Sequence, residues 1–246
     1  MARRRGRKGP IQRQVAPHEL LLERLEIEMD HEALLHALTH RSYAHEHEGM
    51  ANNERLEFLG DAVLEYVVTS HLYRRYPEHS EGDLVRLRAS IVSTRALALI
   101  ARRINLGEFI LLGQGEINTK GYDKDSILAD TMEAVFGALY INKGMESVDQ
   151  LVQNLVLSLL DDQKSMTEAY DWKTLIQEFV HSSEYSSMHY QVEGEGPDHD
   201  RTFTATLMID GTPYGSGTAS SKREAEKRAA HASWKIIKPG DDPTHA

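Results

Sequence analysis

The fold is decided by the stretch Asn53-Glu54-Arg55-Leu56-Glu57-Phe58-Leu59-Gly60-Asp61-Ala62-Val63-Leu64-Glu65. Offsets of three and four residues return a side chain to the same face of a helix, so the acidic residues of this stretch share one stripe. These acids are Glu54, Glu57, Asp61 and Glu65. The remaining faces are mainly apolar, and the pattern therefore predicts a helix that lies inside its domain. A solvated acidic face is the alternative interpretation, but an exposed face would normally mix lysine and arginine among its acids.

A second mostly apolar helix is predicted at Ser126-Ile127-Leu128-Ala129-Asp130-Thr131-Met132-Glu133-Ala134-Val135-Phe136-Gly137-Ala138-Leu139-Tyr140. Its two acids, Asp130 and Glu133, are three residues apart and share a face. Its small residues would let another helix approach closely. These are Ala129, Ala134, Gly137 and Ala138.

Buried carboxylates lose solvation and repel one another, so acids on two apolar helices need a compensating cation. If the two helices face each other, four carboxylates converge on one site. These are Glu57, Asp61, Asp130 and Glu133. All-oxygen ligands suit Mg²⁺ or Mn²⁺ rather than zinc or copper, and Mg²⁺ is favoured. The usual chemistry of such a site is attack of water at a phosphoryl group.

Composition sets the remaining limits. The 246 residues are enough for two domains, and the absence of cysteine excludes disulfides and thiolate chemistry. No apolar run approaches the roughly 20 residues of a membrane span, and no apolar secretory signal is present, so we expect a cytoplasmic protein without a membrane partner. The net charge is −10, but residues 3–13 are basic and contain no acid. This segment is either an arm that contacts phosphate or a solubilising tail.

Two short polar segments bear on the site. Ser80 and Asp83 can cap the helix that follows them, so the first-turn acid Glu81 could simply complement the helix dipole. Residues 113–125 are rich in glycine and polar residues, which predicts a loop.

The pattern changes after residues 161–171, which lack apolar periodicity and indicate a linker. A helix from Trp172, three alternating strands and a last helix opened by Ser221-Lys222-Arg223-Glu224 are predicted, with Asp210-Gly211 as a tight turn. Lys222 and Arg223 stand in the first turn of the last helix, where the dipole favours acids. A bound phosphate would resolve that conflict, and a solvated helix face is the alternative.

Residues 53–62, Glu81-Gly82-Asp83 and residues 126–134 resemble bacterial ribonuclease III, and residues 172–238 resemble its double-stranded-RNA-binding domain. The match extends from about Pro17 to Lys238 in the order and spacing of the family. The resemblance implies an all-α helical endonuclease domain followed by a small α+β domain of order α-β-β-β-α. The domains are then a disordered basic arm (1–16), the catalytic domain (17–160), a linker (161–171), the RNA-binding domain (172–238) and a disordered tail (239–246).

The same resemblance implies roles for residues of the first domain. Glu57, Asp61, Asp130 and Glu133 match the metal-binding carboxylates, and cleavage depends most on Glu133. Asp130 is expected to orient water as well as to bind metal. Asp61 and Glu133 are counted as catalytic together with Glu54 and Glu81, two further acids that line the cleft. Phe58 matches an aromatic residue that inserts into the partner subunit of a homodimer.

In the second domain, the resemblance places RNA contacts at Thr174, Gln177, Glu178, His199, Lys222 and Arg223. The first three face one minor groove, His199 reaches the next, and Lys222 and Arg223 meet the phosphates between. Many such domains carry a third lysine where this chain has Glu226. We therefore expect weaker phosphate affinity, or imperfect replacement by Lys227.

The implied function is Mg²⁺-dependent hydrolysis of double-stranded RNA, with Mn²⁺ able to substitute. The products carry 5′-phosphate and 3′-hydroxyl ends, each subunit of the dimer cuts one strand, and the cuts are staggered. Ribosomal RNA precursors and other structured RNAs are the expected substrates. The alternative is a non-catalytic scaffold that binds duplex RNA.

Overall fold

The computed structural model describes residues 14–162, 171–197 and 201–239. The chain divides into two compact units, Met1–Asp162 and Gln163–Ala246. Most of the predicted basic arm, linker and tail lies outside the described residues, and so does His199. No helix among the described residues has the length and apolarity needed to cross a bilayer.

The first unit is helical. Its α-helices are α1 (Glu19–Leu25), α2 (His31–Ala37), α3 (Arg41–Glu46), α4 (Glu54–Arg75), α5 (Glu81–Ile91), α6 (Thr94–Arg103), α7 (Gln114–Asn118), α8 (Asp125–Lys143) and α9 (Met145–Leu155). Short 3-10 helices are formed by Leu106–Glu108, Gly121–Asp123 and Leu157–Asp161. The described part of this unit contains an isolated β-bridge between Thr39 and Leu111 but no strand. The prediction of an all-α domain is confirmed.

The start of α5 shows how a short polar motif sets a helix boundary. The Asp83 backbone N–H donates to Ser80 Oγ over 3.2 Å, and the Ser80 backbone N–H donates to the Asp83 carboxylate over 3.3 Å. This reciprocal capping box satisfies amide groups that have no partner within the helix. The predicted capping by Ser80 and Asp83 is confirmed.

The core of the unit is the contact between α4 and α8, which meet at two glycines. A Cβ atom added to Gly60 would lie 1.8 Å from the backbone oxygen of Glu133, and one added to Gly137 would lie 2.2 Å from the backbone oxygen of Leu56. Neither position accepts a side chain, so the two glycines allow a close approach of the two backbones. The predicted role of Gly137 in close approach is confirmed.

The prediction that α4 lies inside its domain is wrong for one face of the helix. Phe58 is 81% exposed, Tyr66 61% and Tyr73 73%. The opposite side of the helix, including Val63 and Val67, is buried. Because the helix is apolar on both sides, its periodicity could not show that only one side is covered within a single chain.

Residues 113–125 are more ordered than the predicted loop, since they contain α7 and a 3-10 helix. These helices of one or two turns are too short to produce a recognisable apolar period.

The second unit has the predicted order of elements. These are α10 (Trp172–Ser182), β1 (Met188–Glu195), β2 (Thr202–Ile209), β3 (Thr212–Ala219) and α11 (Lys222–Ile237). The strands form an antiparallel sheet of order β1-β2-β3. Asp210 and Gly211 join β2 to β3 with φ values of 47° and 77°, as a turn with two left-handed positions requires.

Small residues bring α11 close to the sheet. Ala205 of β2 forms a buried cluster with Ala225 and Ala229 of α11. Trp172 and Trp234 are also buried. The second unit therefore has its own core, and the predicted α-β-β-β-α fold is confirmed.

Candidate active site and RNA-binding surface

Three predicted carboxylates meet at the crossing of α4 and α8. Oxygen atoms of Glu57, Asp130 and Glu133 all lie within 4.8 Å of one another, and the three residues are half-buried. Glu57 lies one turn before Gly60, and the backbone oxygen of Glu133 is the atom closest to Gly60. The glycine contact therefore brings acids from distant parts of the chain together.

Asp61 stands at the margin of this cluster. It lies one turn after Glu57 on α4, is exposed, and does not belong to the group of three. Its charge nevertheless contributes to the raised pKa of Glu133, so it lies close enough to act on that carboxyl group. The structure thus brings three of the four predicted ligands together and leaves the fourth beside them.

The cluster carries more negative charge than its surroundings compensate. Burial, followed by the charges of Asp61, Asp130 and Glu57, raises the pKa of Glu133 to about 8. Burial and the neighbouring acids also raise the pKa of Glu57, and burial raises that of Asp130. Carboxylate oxygens that are held together despite burial and mutual repulsion suit a hard divalent cation, whose charge would offset the repulsion. The residues therefore fit a divalent metal ion.

The raised pKa of Glu133 predicts a pH effect on the metal-free protein. The folded state keeps this proton up to about pH 8, whereas the unfolded chain loses it near 4.5. Stability should therefore fall as pH rises between these values. In thermal unfolding with EDTA, we expect the wild type to lose more stability between pH 6 and pH 8 than Glu133→Gln, which has no such proton. Identical pH dependence of the two proteins would contradict the assigned cause.

A polar pocket of about 320 Å³ adjoins the cluster. Its lining includes Glu57 and Asp130 together with residues that the sequence pattern had not singled out. The latter are His40, Arg41, Asn53, Glu116, Lys124, Ser126 and Ile127. His40 and Asn53 stand directly before α3 and α4, Arg41 and Glu116 belong to the short helices α3 and α7, and Lys124, Ser126 and Ile127 lie at the start of α8. Short helices and turns have no apolar period that indicates which of their residues meet in space.

The two predicted cleft acids differ in position. Glu54 lines the pocket, accepts from Asn52 Nδ2 over 2.9 Å and pairs with Arg41 over 3.4 Å. Glu81 is exposed at the first position of α5 and is not among the described residues that line the pocket.

Ion pairs hold the segment at the start of α8 in place. Lys124 Nζ lies 2.6 Å from Glu116 Oε2. From α6, Arg102 contacts Asp123 and Asp125 over 2.7 Å each. These contacts fix the start of the helix that carries Asp130 and Glu133.

The predicted RNA-contacting residues of the second unit lie on exposed helix surfaces. Thr174, Gln177 and Glu178 are exposed on α10, although the Thr174 hydroxyl also donates to Asp171 over 2.8 Å. Lys222 and Arg223 are exposed in the first turn of α11, after the N-cap Ser221. His199 lies outside the described residues.

The acid at the position of the third family lysine has a partner within the unit. Glu226 Oε2 lies 2.6 Å from Lys173 Nζ of α10. Lys227, proposed above as a replacement for that lysine, is 8% exposed. Its burial argues against such a replacement, because a phosphate contact needs an accessible ammonium group.

The chain is similar to known proteins over both units. The family described as "Ribonuclease-III-like" matches residues 30–160, and the "Double-stranded RNA binding motif" matches residues 172–237. The Ribonuclease 3 of Mycobacterium leprae is 48% identical over 224 residues, covering 90% of this chain and 94% of the relative. That of Streptomyces coelicolor is 47% identical over 229 residues, covering 93% and 83%.

A solved structure supports the first unit. The nuclease domain of the Campylobacter jejuni ribonuclease III has a TM-score of 0.53 and 42% identity, and the match covers 57% of this chain and 93% of that one. With its carboxylate cluster and its C-terminal α-β-β-β-α unit, the chain therefore belongs to the bacterial ribonuclease III family of endoribonucleases.

Proposed function

We propose that the protein hydrolyses double-stranded RNA in a Mg²⁺-dependent reaction that leaves 5′-phosphate and 3′-hydroxyl ends. The observation that carries this proposal is the convergence of Glu57, Asp130 and Glu133 within 4.8 Å. We also propose that residues 17–160 form the catalytic domain and residues 172–238 the RNA-binding domain, with a linker at 161–171. Substrates are structured RNAs, including ribosomal RNA precursors, and the proposed location is therefore the cytoplasm.

Glu57, Asp130 and Glu133 would hold the cation, with Asp61 as the nearest further carboxylate. A bound divalent cation supplies positive charge that stabilises a phosphodiester under attack by water. Glu133 is the acid with the most strongly raised pKa, so it gains most from the cation's charge. Asp130 is also proposed to orient water. Glu54 lines the adjoining pocket and is therefore better supported as an assisting acid than Glu81, which is not among the described residues that line it.

The second unit is proposed to recognise duplex shape, because the deep major groove of RNA hides the base edges. Thr174, Gln177 and Glu178 would face the minor groove with its 2′-hydroxyl groups, and His199 would reach the next groove. Lys222 and Arg223 would bind phosphate at the start of α11, where free backbone amides add to their charge.

Lys222→Ala should weaken binding of all RNA duplexes to a similar extent, because a phosphate contact carries no sequence information. The slope of log K against log salt concentration should decrease in magnitude by about one. Filter binding of unrelated duplexes at several salt concentrations measures both effects. Lys235→Ala, at the exposed last turn of the same helix, is the matched control. A loss confined to certain sequences would contradict the phosphate role.

A homodimer is proposed from the exposed apolar face of α4. Phe58, Tyr66 and Tyr73 leave most of their surface uncovered in the single chain. A second solved structure of the C. jejuni nuclease domain, 41% identical with a TM-score of 0.54, is described as flexible in a region involved in that protein's dimer formation. Burying this face against a second copy, with Phe58 inserted into the partner subunit, would give two sites. Each site would cut one strand, which produces staggered ends.

The direct test uses the purified full-length chain and a perfect RNA duplex, with Mg²⁺ or with EDTA. We expect short fragments with staggered 5′-phosphorylated ends in Mg²⁺ and none in EDTA, and Mn²⁺ should restore cutting. Binding without cutting in Mg²⁺ would overturn the catalytic proposal and leave the alternative of a duplex-binding scaffold.

A further inference from the structure

Arg41 lines the pocket beside the carboxylate cluster, and its side chain makes only a weak ion pair there. It is the first residue of α3, and its Nη1 atom is 3.4 Å from Glu54 Oε1. The two side chains are 71% and 51% exposed. The backbone of α3 is held firmly by comparison, since the His40 N–H donates to the Leu111 oxygen and the Gly113 N–H donates to Ser42 Oγ. An exposed, weakly paired side chain therefore projects from a well-anchored backbone position.

The charge of Arg41 acts on two of the proposed metal ligands. Arg41 lines the pocket together with Glu57 and Asp130. Its charge opposes the burial and acid repulsion that raise the pKa of Glu57, and the burial that raises the pKa of Asp130. Lys124, the other strong base that lines the pocket, is engaged by Glu116 at 2.6 Å. In the metal-free protein, Arg41 thus places a positive charge beside the cluster.

A divalent metal ion and the Arg41 guanidinium compete for the negative charge of the same carboxylates. A divalent ion on Glu57 and Asp130 would repel the guanidinium and also neutralise the acids that attract it. The exposed Arg41 side chain would then be available to another anion at the mouth of the pocket. The fork of donors in a guanidinium matches the oxygen atoms of a phosphate.

We propose that Arg41 alternates between two electrostatic partners. In the metal-free protein these are the acids that line the pocket with it, Glu54, Glu57 and Asp130, and in the metal-loaded protein it is a phosphate oxygen of the RNA strand being cut. The inference has two halves: competition between Arg41 and the metal ion (the metal half), and contact of Arg41 with the RNA phosphate (the RNA half). The RNA half rests on the proposed function. The metal half does not, because competition for the carboxylates needs no RNA.

The metal half is tested by titrating the full-length protein with MnCl₂ and measuring free Mn²⁺ by electron paramagnetic resonance, without RNA. Arg41→Gln should bind Mn²⁺ more tightly, on the order of threefold to tenfold, since removal of an exposed cation has a modest electrostatic effect. Arg41→Lys should stay near the wild type. Lys143→Gln is the matched control, with the same charge change about 15 Å along α8 from Glu133. Unchanged or weaker Mn²⁺ binding by Arg41→Gln would overturn the inference.

The RNA half is tested by single-turnover cleavage of a duplex at saturating Mg²⁺. Arg41→Gln should cut on the order of ten times more slowly, because a charge that stabilises the phosphate is lost. Arg41→Lys should recover part of the rate, because it restores the charge but not the fork of donors, and Lys143→Gln should match the wild type. A wild-type rate in Arg41→Gln would overturn this half. If the wild type itself does not cut, the proposed function fails together with the RNA half, and the Mn²⁺ titration still decides the metal half.

Discussion

Glu133→Gln should abolish cleavage of duplex RNA, with a loss on the order of a thousandfold, while duplex affinity changes only a few fold. The substitution keeps the size of the side chain but removes the charge from the most buried acid of the cluster. A single charged group aimed at a reaction centre accounts for rate effects of this size. Binding should persist because most of the proposed RNA contacts lie in the other compact unit. Single-turnover cleavage in Mg²⁺ and filter binding in EDTA measure the two quantities.

Glu65→Gln is the matched control for this experiment. Glu65 continues the acidic stripe of α4, but it pairs with Arg88 over 3.2 Å and lies outside the cluster. This variant should keep both cleavage and binding. Joint loss of cleavage, binding and thermal stability in Glu133→Gln would show instead that Glu133 supports the fold.

The main features of the site could be predicted because helical periodicity is a local property. Spacings of three and four residues placed Glu57 on one stripe and the pair Asp130 and Glu133 on another. The small residue Gly137 indicated that a helix could approach α8 closely. The sequence could not show that Gly60 is the partner in this contact, since that depends on the rotation of both helices about their axes.

Other features depend on tertiary placement and could not be obtained from the sequence pattern. Asp61 shares the stripe of Glu57, yet the structure leaves it exposed at the margin of the cluster. Arg41 and Lys124 reach the pocket from a short helix and a turn, where no period exists. The exposure of Phe58 was implied only by the family resemblance. Its apolar side chain, taken alone, indicated a buried residue.

Gly60→Ala should destabilise the first unit and weaken its metal binding. The added methyl group would lie 1.8 Å from the Glu133 backbone oxygen, so α4 and α8 must separate. Overpacking of this kind costs about 1–3 kcal/mol in the free energy of unfolding, and occasionally more. Glu57 and Glu133 move apart with their helices, so Mn²⁺ affinity and the cleavage rate should fall. Urea unfolding and Mn²⁺ titration measure the two effects.

Gly115→Ala is the matched control, because a Cβ atom at that position meets nothing within 4 Å. Gly115 lies in α7, where alanine favours the helix by up to about 1 kcal/mol, so this variant should be at least as stable as the wild type. Duplex binding should survive both substitutions, since α10 and α11 do not take part in the α4–α8 contact. If Gly60→Ala unfolds at the wild-type urea concentration and binds Mn²⁺ as tightly, the close crossing of the two helices does not determine the spacing of the acids. The cluster would then have to be held by other contacts, such as the ion pairs of Arg102 at the start of α8.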